Sequence, residues 1–406
     1  MQLTEEEERM VAGEDGEAIR LSMEILTRIG DVYGAKRLVP VSSAHAGCAY
    51  PSFCVSVDIM VKFAVLGGKV QVVTTVNPIL NPDNFGDWGQ LQEPDRIKQA
   101  TVRQVNAIKK MGVIPNWSCV PYFEGNLPRV GEPISWVESS AIVFANSVLG
   151  ARTNRTAVGI DIASAITGRV PEFGLLLNEN RVGNALVKME FQPKSLFDYN
   201  TIGFIIGKAC SGKVPVIQGL PSRTTSNELK VMGAAAATKG GIALYHAIGI
   251  TPEAPTKEQA FQGQKPELEM IIHESDIRFA VDEMNTIKGG KVEAVLVGCP
   301  YPTISEIREL AELLKWRKIH EDIMFCIFAS SNTINCSRNM GYINVIEAAG
   351  AKIFEGECIV AHSVTAWGWK NVATNSAKYA CTLSSAPTYL GVLYTDIKRC
   401  VDLATT

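Results

Sequence analysis

The sequence predicts an α/β protein built on parallel sheets. Short apolar runs rich in β-branched residues alternate with amphipathic helical segments. Glycine, proline and polar turns bound the runs, as they do where strands and helices meet. The chain has 406 residues, 46% of them hydrophobic, enough for a sizeable core and for two or three domains.

The elements follow in order. The opening stretch "LTEEEERMVAGEDGEAIRLSMEILTRIGDVYGA" is helical by its apolar spacing, and acids crowd its start, where they complement the helix dipole. Residues 67–78, "GGKVQVVTTVNP", read as a buried strand. Residues 94–112 read as an amphipathic helix closed by Gly112, and the strand-like "VIPNWSCVPY" follows at once. Later "KVEAVLVGCP" is a strand, and "TISEIRELAELLKWRK" is a helix opened by a capping box of Thr303 and Glu306. "DIMFCIFASS" is again a strand, then a helix near 338–349, then the strand "AKIFEGECIV". Residues 251–267 are rich in proline and polar side chains. They are expected as a linker or long loop between an N-terminal α/β region, 1–250, and a C-terminal one, 268–406.

Composition excludes several classes. Thirty-nine basic and 42 acidic residues give a net charge of −3, which argues against nucleic acid or an anionic membrane as the main partner. No apolar run approaches the ~18 residues of a membrane span. The acidic start "MQLTEEEERM" is unlike a secretory signal. Ten cysteines in such a chain read as reduced thiols of a cytoplasmic protein, and no C-x-x-C pair suggests a zinc ribbon or ferredoxin cluster. There is no G-x-S-x-G elbow, P-loop or G-x-G-x-x-G after a strand.

Several constellations could carry chemistry. Cys119, Cys299 and Cys358 each lie in or after a strand-like run that meets a turn. Ligands at strand ends collect on one side of a parallel sheet, and three thiolates leave a metal position open for substrate. A free cysteine is ordinarily a small buried hydrophobe, as Cys326 reads, so spacing alone does not separate the trio from the other seven. The segment Trp136 to Arg155 mixes Ser139, Asn146 and Ser147 with apolar residues and ends on Arg152, groups suited to a carboxylate or phosphate. Its alternative reading is a capped helix with a solvated basic turn. "SSAHAGCAYPSFC" places His45, Gly47, Cys48 and Tyr50 in a candidate substrate loop, with zinc ligation by His45 and Cys48 as the alternative. Asn375, Ser376 and Lys378 form a last polar group, and His246 and His362 read as core histidines or as supports behind a site.

The segments "WVESSAIVFANSVLGARTNR", "GRVPEFGLLLNENR", "LVGCPYPTISEI" and "TNSAKYA" together resemble the large subunit of the aconitase X family. The resemblance runs from the first helix to near residue 400. It implies an aconitase-like fold of three-layer domains 1–3 around a central cleft, without the swivel domain. It also implies a hydro-lyase whose iron centre, an iron–sulfur cluster or a mononuclear iron, is held by Cys119, Cys299 and Cys358. A separate small swivel-domain subunit would then carry a serine base. Family members dehydrate cis-3-hydroxy-L-proline or mevalonate 5-phosphate, and the first is the substrate expected here, with the second as alternative. A non-catalytic iron-binding protein of the same fold is a further alternative. In the reaction implied, Ser139, Arg152 and Lys378 would act catalytically. His45, Gly47, Cys48, Tyr50, Asn146, Ser147, Asn375 and Ser376 would line the substrate.

Overall fold

A computed structural model describes residues 1–47, 54–84, 93–287 and 289–405. The helical opening is two helices, Glu5–Ala12 and Glu17–Val32. Thr4 and Glu7 close a capping box on the first, and Gly13 ends it in the left-handed region. Arg169 then ties Glu6 and Glu7 back to the sheet side, at 2.6 and 3.1 Å.

The N-terminal part carries β1 (Leu38–Pro40), β2 (Ser43–Ala46), β3 (Val73–Val76), β4 (Ser135–Trp136) and β5 (Arg169–Pro171). β3, β2 and β4 form a parallel sheet in that order, and β1 pairs with β5 antiparallel. The helix expected over 94–112 is Asp95–Met111, entered from Pro94 and closed by Gly112. The strand expected at "VIPNWSCVPY" is not a regular strand. Residues 114–118 run beside β3 with one isolated bridge, Thr75 to Ile114. Two features break the ladder. Pro115 has no N–H to give, and the β3 amide of Val76 donates instead to the Asn116 side chain, at 3.0 Å. Trp117 then adopts φ 43° and turns the chain toward Cys119.

The middle part carries β6 (Ala185–Met189), β7 (Pro215–Gln218), β8 (His246–Ala247) and β9 (Leu268–Ile272), all parallel in the order β8-β7-β6-β9. Residues 251–267 connect β8 to β9 within this one sheet. They include the helix Lys257–Phe261, whose Ala260 and Phe261 pack with Leu186 and Val216. Helices Leu196–Ala209 and Ser226–Gly240 cover the sheet and touch backbone to backbone. A Cβ at Gly203 would stand 2.1 Å from the Met232 carbonyl, so only glycine permits that crossing.

The last part carries β10 (Ala294–Val297), β11 (Met324–Ala329), β12 (Lys352–Glu355), β13 (Asn371–Thr374) and β14 (Gly391–Tyr394), parallel in the order β12-β11-β10-β13-β14. Thr303 and Glu306 form the expected capping box on helix Ile304–Leu314. The helix expected near 338–349 is Tyr342–Ala349, preceded by Ser331–Asn339 and parted from it at Gly341. One apolar core joins the first and last parts: Leu80, Val120, Tyr122 and Trp136 share it with Leu296, Phe328, Phe354 and Tyr379. The ends of β3, β10 and β12 therefore open toward a common seam.

Candidate active site

Three turns meet at that seam. Cys119 follows the segment beside β3. Cys299 follows β10 after Gly298, which has φ 115°. Cys358 follows β12 after Gly356 and Glu357, and Glu357 bridges to Ile79. The three free thiols line one cavity of about 150 Å³ with Asn77, Glu138, Ser139, Tyr301, Lys378 and Tyr379 among its walls. Burial pushes the Cys299 thiol up to about 12 and Cys358 to about 11, and Cys119 rises as well. The Tyr301 N–H donates to Cys119 Sγ at 3.4 Å, a contact that favours thiolate. Among the described residues, no three His, Cys, Asp or Glu side chains already stand as a metal-holding group. In kind, three unpaired thiols on one cavity are a soft donor set of the sort that takes an iron–sulfur cluster, zinc or copper(I).

An ion pair lines the same cavity. Lys378 Nζ donates to Glu138 Oε1 and, at 3.3 Å, to Ser139 Oγ. Glu138 sits at the N-cap of helix Ser139–Phe144, where its carboxylate also accepts the Ser140 N–H and hydroxyl, at 3.2 and 2.9 Å. Burial alone would raise this carboxyl, but the Lys378 ammonium and these donors outweigh it and hold it at about 2. Burial alone would lower Lys378, and Glu138 with the thiols raises it instead.

A directional hydrogen-bond chain supports Glu138 from behind. Asn126 donates its amide to Thr75 Oγ1 at 2.9 Å. Thr75 meets His45 Nδ1 at 2.8 Å, His45 Nε2 meets Asn77 Oδ1 at 2.9 Å, and Asn77 Nδ2 donates to Glu138 Oε2 at 2.9 Å. An amide oxygen only accepts, so Nε2 carries the His45 proton and Nδ1 accepts from the Thr75 hydroxyl. His45 is fully buried. Burial drops its imidazole to about 4, so it is neutral here and supports Asn77 rather than facing the cavity.

The structure thus brings Ser139 and Lys378 to the three cysteines, with His45 one residue behind. The other expected site residues that are described do not line this cavity. Arg152 donates Nη1 to the Leu176 carbonyl at 2.9 Å and lines a separate cavity with Arg181 and His246. Asn146 is enclosed, bonding the Thr153 and Ala243 carbonyls at 2.9 Å each and accepting from Thr153 N–H and Arg181. Ser147 accepts the Tyr245 N–H at 2.9 Å. Both therefore lock the π-helical turn Ala145–Leu149 to its neighbours. Ser376 caps helix Ala377–Leu383 and donates to the Cys299 carbonyl, and with Asn375 it lines a larger groove that Cys299 also borders. Gly47 donates its N–H to Asp161 at 2.6 Å. Cys48 and Tyr50 lie outside the described residues. His362 is buried between Glu93 and Glu357, at 3.2 and 3.0 Å, behind the Cys358 turn.

Sequence reasoning gave no role to Glu138, Asn77, Tyr301 or Tyr379. Glu138 had a faint signal, an acid at the N-cap position before "SSAIVF", where serine, threonine, aspartate or asparagine is usual. The other three are brought in by long-range packing and carry no local mark.

With this geometry in view, comparison with known proteins covers the chain end to end. Residues 1–179 match the family described as "Aconitase X first domain", 183–282 "Aconitase X second domain" and 292–406 "Aconitase X third domain". The phosphomevalonate dehydratase large subunit of Methanocaldococcus jannaschii is 38% identical over 394 residues, 95% of this chain and 96% of that one. The cis-3-hydroxy-L-proline dehydratase of Pseudomonas aeruginosa is 33% identical over 405 residues, 98% of this chain and 69% of that one. The crystal structure of Thermococcus kodakaraensis aconitase X in its holo-form aligns over 100% of both chains, with TM-score 0.88 and 34% identity. Both curated relatives are dehydratases by name.

Proposed function

Because the chain belongs to the aconitase X family, we propose that it is the large, metal-holding subunit of a hydro-lyase that removes water from a small hydroxy acid. One observation carries the reading: Cys119, Cys299 and Cys358 share a single small cavity with Ser139 and the Glu138–Lys378 pair. The thiols would hold iron, as one ion or within an iron–sulfur cluster. When bound, that centre supplies Lewis acidity toward the departing hydroxyl.

The remaining work falls to this chain's side chains. Lys378, held protonated by Glu138, offers an ammonium to a substrate carboxylate and to the charge that builds on it as the neighbouring carbon loses its proton. Ser139 adds a hydroxyl beside it. The chain from Asn126 through His45 to Asn77 keeps Glu138 in place, so Lys378 stays aimed. Arg152, Asn146 and Ser147 act on the reaction through the fold of their turn rather than by touching substrate.

Glu138 is the carboxylate among the described cavity walls, and at about 2 it is too weak a base to take a proton from carbon. We therefore place the base, a serine, on a separate small subunit. Relatives matched over nearly their whole length carry the name large subunit, which supports that arrangement.

Of the two substrates, we put cis-3-hydroxy-L-proline first. The space is about 150 Å³, and Lys378, already ion-paired, is the cation among its described walls. Mevalonate 5-phosphate is the second reading, favoured by the names of the relatives at 35–38% identity. A dehydration assay on chain plus small subunit, with both substrates and iron quantified in the same anaerobic sample, decides between them. Cys119→Ser, Cys299→Ser and Cys358→Ser should each lose iron and turnover while Cys326→Ser keeps both. Full iron in all three would sink the reading.

A further inference from the structure

Tyr301 touches every thiol-bearing turn. It stands two residues after Cys299. Its N–H donates to Cys119 Sγ at 3.4 Å. Its hydroxyl donates to the carbonyl of Glu357, the residue before Cys358, at 2.6 Å. Its own carbonyl accepts from Lys230 Nζ at 2.9 Å. Lys230 comes from the middle part of the chain, is fully buried, and pairs with Glu306 at 2.8 Å. The same Glu306 oxygen accepts the Thr303 N–H at 2.9 Å, so the pair is bolted to the start of helix Ile304–Leu314.

A buried lysine–glutamate pair gives little net stability over an apolar pair of the same volume, and its best-attested use is to specify one geometry. Here the geometry specified is that of a single backbone carbonyl, next to the cysteines. We propose that Tyr301 is the positioning residue that holds the three thiol turns in register, and that Lys230–Glu306 fixes Tyr301 in turn. The proposal rests on the reading that these thiols hold the metal. It adds how three turns far apart in sequence are kept at one cavity before any metal arrives.

The test uses the metal-free full chain as parent, Tyr301→Phe and Lys230→Met. Iodoacetamide labelling is followed cysteine by cysteine by mass spectrometry, with Cys210 and Cys326 as buried reporters of general opening. Tyr301→Phe removes only the hydroxyl. It should speed labelling of Cys358 about tenfold, the scale of one lost hydrogen bond, and leave Cys210 and Cys326 unchanged. After anaerobic reconstitution its iron should exchange to a chelator about tenfold faster as well. Lys230→Met should speed Cys119 and Cys299 instead. Parent-like labelling of Cys358 in Tyr301→Phe overturns the proposal, and so does an equal rise at Cys210 and Cys326, which marks a general loss of fold. A parent that takes up no iron overturns the metal reading, and the labelling comparison then still decides the role of Tyr301.

Discussion

Burial decides the protonation of His45, and a second buried group opposes it. The His45 imidazole falls from 6.5 to about 4 because the fold excludes water from it. A folded value below the unfolded one means stability that is present above pH 6.5 and lost as pH falls through 4. The swing is about 3 kcal/mol. Asp161 works the other way. Burial lifts its carboxyl to about 6 against the pull of the Gly47 and Gly159 amides, so its contribution is full below 3.8 and lost as pH rises through 6. Chemical denaturation between pH 4 and 7 should show the deficit of His45→Gln shrinking as pH falls and that of Asp161→Asn shrinking as pH rises. Parallel slopes for the two variants would contradict both assignments. The Glu138–Lys378 pair gives a third measurement at this scale. Its side chains are only 13% and 19% exposed, so Lys378→Met strands a carboxylate and should cost about 3 kcal/mol. Glu138→Gln combined with Lys378→Met should cost about 2 kcal/mol less than the sum of the two single changes, the coupling that a double-mutant cycle reads.

At the scale of elements, the site depends on how three strands end. β10 ends on Gly298, whose φ of 115° and whose missing side chain let the chain pass the Phe328 carbonyl of β11. A Cβ there would stand 2.0 Å from that oxygen, so Gly298→Ala should cost more than ~3 kcal/mol and displace Cys299. Gly212 also has positive φ, 75°, but meets nothing within 4 Å, and Gly212→Ala should cost about 1 kcal/mol in the same thermal or denaturant assay. Equal costs would show that close approach to β11 does not constrain the turn. These strands and their helices were legible in the sequence because period and punctuation are local: Pro94 and Gly112 bracket one helix, and Thr303 with Glu306 opens another. The irregular run before Cys119 was not legible as such. Its apolar residues read as a strand, while the asparagine side chain that replaces a ladder bond reads as nothing until β3 lies beside it. The same limit explains the site. The cysteines and Lys378 carry chemistry in their residue type and could be named, but Asn77 and Tyr301 matter only through what long-range packing puts against them. Residue type is ambiguous for Asn146 and Arg152 for the converse reason, since polar groups that could hold a carboxylate also satisfy buried backbone carbonyls, as both do here.

Across the whole molecule, the cavity draws on the first and last parts directly and on the middle part through Lys230. That division fits a site whose walls bind and orient while the proton-abstracting group comes from outside. The described walls hold a protonated lysine, a carboxylate at about 2, thiols assigned here to metal, two tyrosines that burial keeps protonated, and the Ser139 hydroxyl, which donates to the weakly basic Glu138 at 3.4 Å; none of these is suited to take a proton from carbon near neutral pH. The consequence separates metal loading from turnover. The chain alone should bind iron with the stoichiometry it has in the pair, yet release no detectable product from cis-3-hydroxy-L-proline or mevalonate 5-phosphate. Adding the small subunit should restore dehydration without changing iron content, and a small subunit whose candidate serine is replaced by alanine should still assemble and still fail to turn over. Assembly is read by size-exclusion chromatography and product by mass spectrometry. Turnover by the chain alone at the rate of the pair would place the base within this chain, and the search would then move to the residues flanking the cavity.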